Sequence, residues 1–266
     1  MRAHFRLCAA FEGNTVNVSK LLWVNISGMF KKKLYYRKLW IRAMKVREPS
    51  RVRLIAFRRY VKLISLMSKS SRILDVSCGS GIIARMLESE GHKNLVGIDL
   101  VNRFKRGQNT SFIVAENTHL PFQRKSFDVI FARKFVSTPD LEESLKEFYE
   151  ILKDRGTLAV EIVNVKRLKS RIYESLGLTP TYPPTVLYFP YLHLAPFKKI
   201  LCQENFVVLR IEGDHVRIPL ISHLISFFRL DILQRILGQL SPTLCLHLFA
   251  ISKKQTAAHR RIAHAN

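Results

Sequence analysis

The spacing of hydrophobic residues changes at about residue 71 of the chain. Before that point Leu54, Phe57, Val61 and Ile64 recur at helical intervals, which predicts a helix over 51–67 with one face docked on the rest of the protein. After it, short apolar runs alternate with amphipathic stretches. This second pattern is typical of β-strands separated by helices.

Seven apolar runs after residue 71 predict strands, and two amphipathic runs between them, "IIARMLESE" and "DLEESLKEFYEILK", predict helices. In chain order the strands are "RILDVS", "NLVGIDL", "SFIVAE", "FDVIFA", "GTLAVEIV", "NFVVLRIEGD" and "PTLCLHLFAISKK". The last two are separated by apolar, helix-like sequence that includes "ISFFRLDILQRILGQL". Because strands alternate with helices, the sequence predicts an α/β fold with a doubly wound parallel sheet.

A glycine turn lies between the first strand and the first helix, in "RILDVSCGSGIIARML". In an open α/β sheet, ligands bind beyond the carboxyl ends of the strands, where glycines such as Gly79 and Gly81 let the backbone approach closely. Asp99 ends the second strand, where a carboxylate is well placed to accept hydrogen bonds from ribose hydroxyls. The order of strand, turn, helix, strand and acid predicts a nucleoside cofactor, although tight turns also need glycine for backbone reasons alone.

Two classes of nucleoside cofactor compete for this turn. The run "GSGIIA" formally satisfies the dinucleotide fingerprint, with alanine in its last place. Asp75, however, is a carboxylate within the loop that would receive a pyrophosphate, and like charges repel. An acid in that place suits S-adenosylmethionine (SAM), which carries a sulfonium and an ammonium group and no phosphate.

Charge is distributed unevenly along the 266 residues, which carry 44 Lys and Arg against 20 Asp and Glu. Residues 1–70 hold 17 of these basic groups and 2 of the acidic ones, so the N-terminal quarter forms a basic appendage. The longest uncharged apolar stretch, Ile218 to Phe228, is well short of the roughly 20 residues that cross a bilayer. The sequence therefore predicts a cytoplasmic protein, with peripheral contact to an anionic membrane as an option.

Four cysteines lie far apart and form no CxxC pair, so neither a disulfide framework nor a structural metal site is expected. The chain opens without a charged, apolar and small-residue signal peptide, because Arg2, Arg6 and Glu12 interrupt any apolar segment. A reducing compartment fits both observations.

Four segments together resemble class I SAM-dependent methyltransferases, in particular their small-molecule, quinone-type branch (methyltransferase type 11-like). They are "LDVSCGSG", "GIDL", "VAENTHLPFQRKSFDVIFA" and "EFYEILKDRGTLAVEIV", in the family's order. The resemblance covers about residues 50–253. It implies a Rossmann-like, seven-stranded, mostly parallel sheet with an antiparallel last strand, and SAM as the cofactor.

The resemblance also implies cofactor-binding residues, all next to the carboxyl ends of the first four strands. Asp75, Ser77, Gly79 and Gly81 would line the methionine end, Asp99 would hold the ribose, Leu100 would cover the adenine, Glu116 and Asn117 would lie near its amino group, and Arg133 would lie beside the departing methyl. Each also has a purely structural interpretation, such as capping the turn or filling the core. Ser77 stands where many members have glycine, and "KDRGT" keeps only Gly156 of the usual Lys-Pro-Gly-Gly turn.

No catalytic residue can be assigned from the sequence. Methyl transfer is an in-line displacement at an activated carbon, so holding the acceptor against the sulfonium supplies most of the acceleration. A general base is needed only where the acceptor must lose a proton. Weak candidates for a direct role are His119, Arg133 and His193, with His215 as a further histidine.

The predicted organisation is a basic extension over 1–50, a methyltransferase domain over 51–253 and a basic tail over 254–266. A helical, acceptor-side insertion is expected at about 214–241. Together with the aromatic, proline-rich stretch "PTYPPTVLYFPYLHLAPF", this insertion favours a small-molecule or lipid-like acceptor reached from one side of the sheet. Two alternatives stay open: an RNA methyltransferase acting on rRNA or tRNA, because of the net charge of +24, and a catalytically inactive SAM-binding protein.

Overall fold

The computed structural model describes residues 57–58, 60–64, 66–100, 102, 110–133, 138–164, 175, 193–216, 236 and 239–256. All of them belong to one compact unit, Pro49–Asn266. The predicted basic extension over 1–50, most of the insertion at 214–241 and the tail beyond residue 256 lie outside the described residues. Within the described part of the chain, no helix is long and apolar enough to cross a bilayer.

Seven strands of the described residues form one sheet. They are β1 (Ile73–Val76), β2 (Leu95–Asp99), β3 (Ser111–Val114), β4 (Phe127–Arg133), β5 (Leu152–Val163), β6 (Phe206–Val216) and β7 (Cys245–Lys254). The spatial order is β3-β2-β1-β4-β5-β7-β6. The first five strands pair in parallel, whereas β7 lies antiparallel between β5 and β6. The predicted doubly wound, mostly parallel sheet with an antiparallel last strand is confirmed.

Helices cover both faces of the sheet. The described helices are α1 (Ile82–Ser89), α2 (Thr138–Ile151) and α3 (Leu194–Gln203), together with a short 3-10 helix (Pro242–Leu244) and helical residues in 57–64. The residues of α2 and α3 join one apolar cluster, and those of α1 and 57–64 join the other. Because both faces are covered, all four residues of β1 are buried, including Asp75 within the otherwise apolar run "ILDV".

The predicted N-terminal helix docks by the face that its apolar spacing indicates. Phe57, Val61 and Ile64 are buried, together with Tyr60, whose ring stacks on Phe249 of β7 with the centroids 4.0 Å apart. The fourth predicted contact, Leu54, lies outside the described residues. This helix therefore closes the sheet face that carries α1.

The helix α3 was not predicted. The proline-rich stretch before it was interpreted as acceptor surface, but its last residues begin α3, and Phe197 is fully buried in the apolar cluster beneath α2 and α3. Leu194, Phe197, Ile200 and Leu201 have the spacing of one helical face, a signal that the neighbouring prolines obscured. This end of the stretch packs the core.

A buried lysine closes the C-terminal end of α2. Lys254, the last residue of β7, donates from Nζ to the carbonyl oxygens of Tyr149 at 2.5 Å and Leu152 at 2.8 Å, and its ammonium lies 4.3 Å from the centre of the Tyr149 ring. The last carbonyls of a helix have no partner within it and favour a positive charge. The strand thus ends one residue beyond the predicted domain boundary at 253, with its charge inside the fold.

Replacing this lysine should destabilise the protein. Lys254→Met keeps the apolar stem but leaves two buried carbonyl groups without their charged donor, so we expect the free energy of unfolding to fall by about 2–3 kcal/mol. Urea unfolding followed by circular dichroism measures it. Lys253→Met on the same strand is the matched control and should change stability by less than about 0.5 kcal/mol; equal losses in both variants would contradict the role of Lys254.

Candidate cofactor site

The carboxyl ends of the parallel strands place four of the predicted side chains along one edge of the sheet. Asp75 is near the end of β1, Asp99 ends β2, Glu116 follows β3 and Arg133 ends β4. These four strands are neighbours in the sheet. The topology therefore brings together residues that are up to 58 positions apart in the sequence.

In the turn between β1 and α1, every second residue from Ser77 to Gly81 has a left-handed backbone conformation. Ser77, Gly79 and Gly81 have φ of 57°, 57° and 75°. The Cys78 amide donates to the Ile98 carbonyl on β2 at 3.0 Å, and the Gly81 amide donates to Cys78 at 2.9 Å. The turn consequently folds against the end of β2 and delivers the chain to the start of α1.

Asp99 binds this turn directly. Its Oδ2 accepts a hydrogen bond from the Gly79 amide at 3.0 Å, and its backbone carbonyl accepts one from Ala115 beyond β3 at 3.3 Å. A carboxylate has about four acceptor positions. It can therefore hold Gly79 and also receive the two hydroxyls of a ribose.

Asp75 is the buried acid of the site. It is 4% exposed, and within the described part of the chain its Oδ2 has no hydrogen-bond partner. Burial raises the pKa of Asp75 to about 7, against the positive charge of Arg133, which lowers it, and with the charge of Asp99, which raises it further. Such an acid favours a cationic partner.

Arg133 is held from two sides. Its Nε lies 3.0 Å from Oε2 of Glu161 on the neighbouring β5, and its guanidinium lies 3.8 Å from the centre of the Phe57 ring. Glu161 is in turn 3.6 Å from Nδ1 of His247 on β7. Sequence reasoning found Arg133 and missed Glu161 and His247, although each is a charged or polar residue inside an apolar strand, "LAVEIV" and "LCLHLF".

The predicted residues after β2 and β3 differ in their contacts. Leu100 is half-buried directly after Asp99. Asn117 donates from Nδ2 to Ser144 Oγ on α2 at 2.7 Å, which ties this segment to the helix. Glu116 is half-buried, and its Oε2 lies 4.0 Å from Nδ1 of the exposed His119.

The other histidine candidates lie elsewhere. His193 precedes α3, a helix that packs on the sheet face opposite to the one that carries Phe57 and Arg133. His215 belongs to β6, at the far edge of the sheet, and its side chain is outside what the structure describes.

The residues of the turn fit SAM. A Cβ placed on Gly79 would meet no atom of the described residues within 4 Å, so among those residues the space above the turn is open. The first amides of α1 have no acceptor within the helix, and the partnerless Asp75 oxygen suits an ammonium group where a pyrophosphate would be repelled. In the described residues, no group of three or more His, Cys, Asp or Glu side chains is arranged to hold a metal ion.

Comparison with known families agrees with this geometry. The model of a methyltransferase domain matches residues 74–160, from β1 to the middle of β5. Residues 74–160 of the chain are therefore similar to a methyltransferase domain.

Several curated methyltransferases are similar to this domain. A demethylmenaquinone methyltransferase of Thermotoga maritima is 33% identical over 126 residues, which is 44% of this chain and 55% of that protein. The ubiquinone/menaquinone biosynthesis C-methyltransferase UbiE of Rhizobium leguminosarum is 31% identical over 159 residues, 52% of this chain and 62% of its own length. The chain spans about half the length of the curated relatives it matches.

Solved structures show the same fold. A SAM-dependent methyltransferase of Thermotoga maritima superposes with a TM-score of 0.53 at 17% identity, over 86% of this chain and 99% of that one. A SAM-dependent methyltransferase from Archaeoglobus fulgidus superposes with a TM-score of 0.51 at 22% sequence identity. The superposition covers 76% of this chain and 94% of that one. At these identities the likeness establishes the fold of the methyltransferase domain alone.

The serine in the turn provides a test of its backbone. Ser77 adopts a left-handed conformation that costs a residue with a side chain roughly 1 kcal/mol, so Ser77→Gly should raise the free energy of unfolding by about 0.5–1 kcal/mol. Ser80→Gly in the same turn, where φ is negative, should lower it by about as much. Thermal melts of both variants measure the difference, and a loss of stability in Ser77→Gly would contradict the strained turn.

Proposed function

We propose that the protein transfers the methyl group of SAM to a small-molecule or lipid-like acceptor. The observation that carries the proposal is the buried Asp75 oxygen, which has no hydrogen-bond partner among the described residues and lies beside the glycine turn that Asp99 binds. An acid buried at this cost needs a cation in reach. SAM, when bound, supplies that cation and an activated methyl carbon.

The chain's own residues would bind and orient the reactants. Asp75 would receive the ammonium group, and the backbone from Ser77 to Gly81 would line the methionine end. Asp99 would accept from the ribose hydroxyls while still holding Gly79. Because displacement at a sulfonium depends mainly on alignment, this rigid edge would act by fixing the methyl group toward the acceptor.

The proposed acceptor class is supported by the names of similar curated proteins. Curated relatives named for demethylmenaquinone, for ubiquinone/menaquinone biosynthesis and for malonyl-[acyl-carrier protein] are each at least 30% identical over the part that matches. These names share a small or lipid-like methyl acceptor. The apolar and basic segments over 1–50 and 214–241, expected to form an entrance for it, lie almost entirely outside the described residues and stay a prediction.

Cofactor binding should depend on Asp99. We expect Asp99→Ala to weaken the binding of S-adenosylhomocysteine, the demethylated product, by about 1.5–3 kcal/mol in isothermal titration calorimetry, the scale of hydrogen bonds to a charged group. Asp99→Asn keeps an oxygen for the Gly79 amide and so separates the effect on the ribose from that on the turn. Asp154→Ala, which loses only an exposed pair with Lys125, is the control. Tight binding of NAD or FAD by the wild type, without binding of SAM or its product, would overturn the proposal.

The class of acceptor can be identified by following a labelled methyl group from SAM into the fractions of a cell extract. The wild type with methyl-labelled SAM should label the small-metabolite or lipid fraction of a cell extract and leave purified RNA unlabelled. Asp75→Asn, which loses the buried charge, is the negative control. Label confined to RNA would favour the alternative acceptor. Binding of labelled SAM without any transfer would instead indicate an inactive SAM-binding protein.

A further inference from the structure

A row of buried polar side chains lies among apolar residues on one face of the sheet. Asp75, Arg133, Glu161 and His247 lie on β1, β4, β5 and β7 near the carboxyl edge of the parallel strands. Two positions away on the same strands and the same face stand the apolar residues Ile73, Phe131, Ala159 and Phe249. Burying charge costs free energy that partnering offsets only in part. The row therefore needs an explanation beyond the packing of the sheet.

Arg133 lies between two acids, Asp75 and Glu161, and forms an ion pair with Glu161. Its Nε is 3.0 Å from Glu161, whereas within the described residues no ion pair of 4 Å or less joins it to Asp75. The Phe57 ring covers the guanidinium from the helical side. Pairing with Glu161 and stacking on Phe57 thus hold the arginine on the β5 side of its strand.

The position of Arg133 decides whether Asp75 is open to a ligand. If the guanidinium closed on Asp75, it would satisfy the carboxylate and place a positive charge where the ammonium group of SAM would bind. We propose that Glu161 is a positioning residue for cofactor binding: it holds Arg133 away from Asp75 and leaves that carboxylate to the ammonium group. This inference rests on the proposed function and names a residue that acts through two others.

The charges around Asp75 predict how the binding of an ammonium ligand should depend on pH. Burial first, and Asp99 on β2 as well, raise the pKa of Asp75, and Arg133 on β4 lowers it, to a net value of about 7. The turn and the helices on this face add the Cys78 thiol, the Tyr60 phenol and Arg85, whose guanidinium donates to the Ser80 carbonyl at 2.8 Å. An ammonium ligand selects the ionised carboxylate, so below about pH 7 its binding should release a proton and weaken as pH falls.

Calorimetric titration of the full chain with S-adenosylhomocysteine, from pH 6 to 8.5 in two buffers of different ionisation enthalpy, tests this dependence on pH. For the wild type we expect affinity to fall below about pH 7, with close to one proton released at pH 6. In Glu161→Gln the freed Arg133 should pair with Asp75. Binding should then be about tenfold weaker at pH 8, and its proton release at pH 6 should be largely lost.

Removing the arginine should have the opposite effect on pH dependence. Arg133→Gln takes away the charge that favours ionised Asp75, so the pH at which affinity falls should move above 7. Without an arginine to position, the double variant Glu161→Gln/Arg133→Gln should match Arg133→Gln. His247→Gln, which keeps the pair between Arg133 and Glu161, should keep the wild-type midpoint and so exclude a titrating histidine. If Glu161 had a merely structural role, the pH at which affinity falls would not move in opposite directions in Glu161→Gln and Arg133→Gln.

Two failures can be told apart. A wild type that binds no S-adenosylhomocysteine at any pH would overturn the proposed function, and the inference with it. A wild type that binds, with Glu161→Gln unchanged in affinity and midpoint, would overturn the inference alone. If Glu161→Gln does not fold, as melting curves would show, Glu161→Asp decides, because it keeps the charge but shortens its reach to Arg133. Weaker binding at pH 8 with less proton release at pH 6 supports the positioning role, and wild-type affinity and proton release contradict it.

Discussion

The hydrogen bond from the Gly79 amide to the Asp99 carboxylate joins the ends of β1 and β2 and fixes the turn between them. The turn has three left-handed residues in five positions, a conformation that needs support from its surroundings. Asp99 and the Ile98 carbonyl provide that support from the neighbouring strand. The direction in which α1 leaves the sheet, and the open space above Gly79, both depend on this connection.

Beside this turn the sheet carries a line of buried ionisable groups. Asp75 and Glu161 share the influence of one guanidinium, whose Nε lies 3.0 Å from Glu161. In a low-dielectric interior such groups interact strongly, so the location of Arg133 affects acids on both sides of it. The cofactor edge and the interior of the sheet are therefore electrostatically connected through β4.

Local sequence patterns located the seven strands and the turn, although β5 begins four residues before the start of its predicted run and β7 three residues after the start of its own. "RILDVS" and "NLVGIDL" lie within one or two residues of β1 and β2, because buried parallel strands are continuous apolar runs. Glu161 and His247 were missed because their importance arises from the pairing of β5 with β4 and β7, over separations that no local window contains. Lys254 looked like part of a basic tail, since charge alone does not reveal that a lysine ends inside the fold at the terminus of α2.

The central place of β7 has a consequence for how the chain folds during synthesis. Among the described strands β7 is the last in chain order and so emerges from the ribosome after β5 and β6, yet it lies between them. Until it arrives, β5 presents an unpaired edge and the carbonyl groups at the end of α2 lack Lys254. Unpaired strand edges invite association with other chains. The nascent sheet is therefore exposed to aggregation until β7 is released, and a chaperone would be of most use up to that stage.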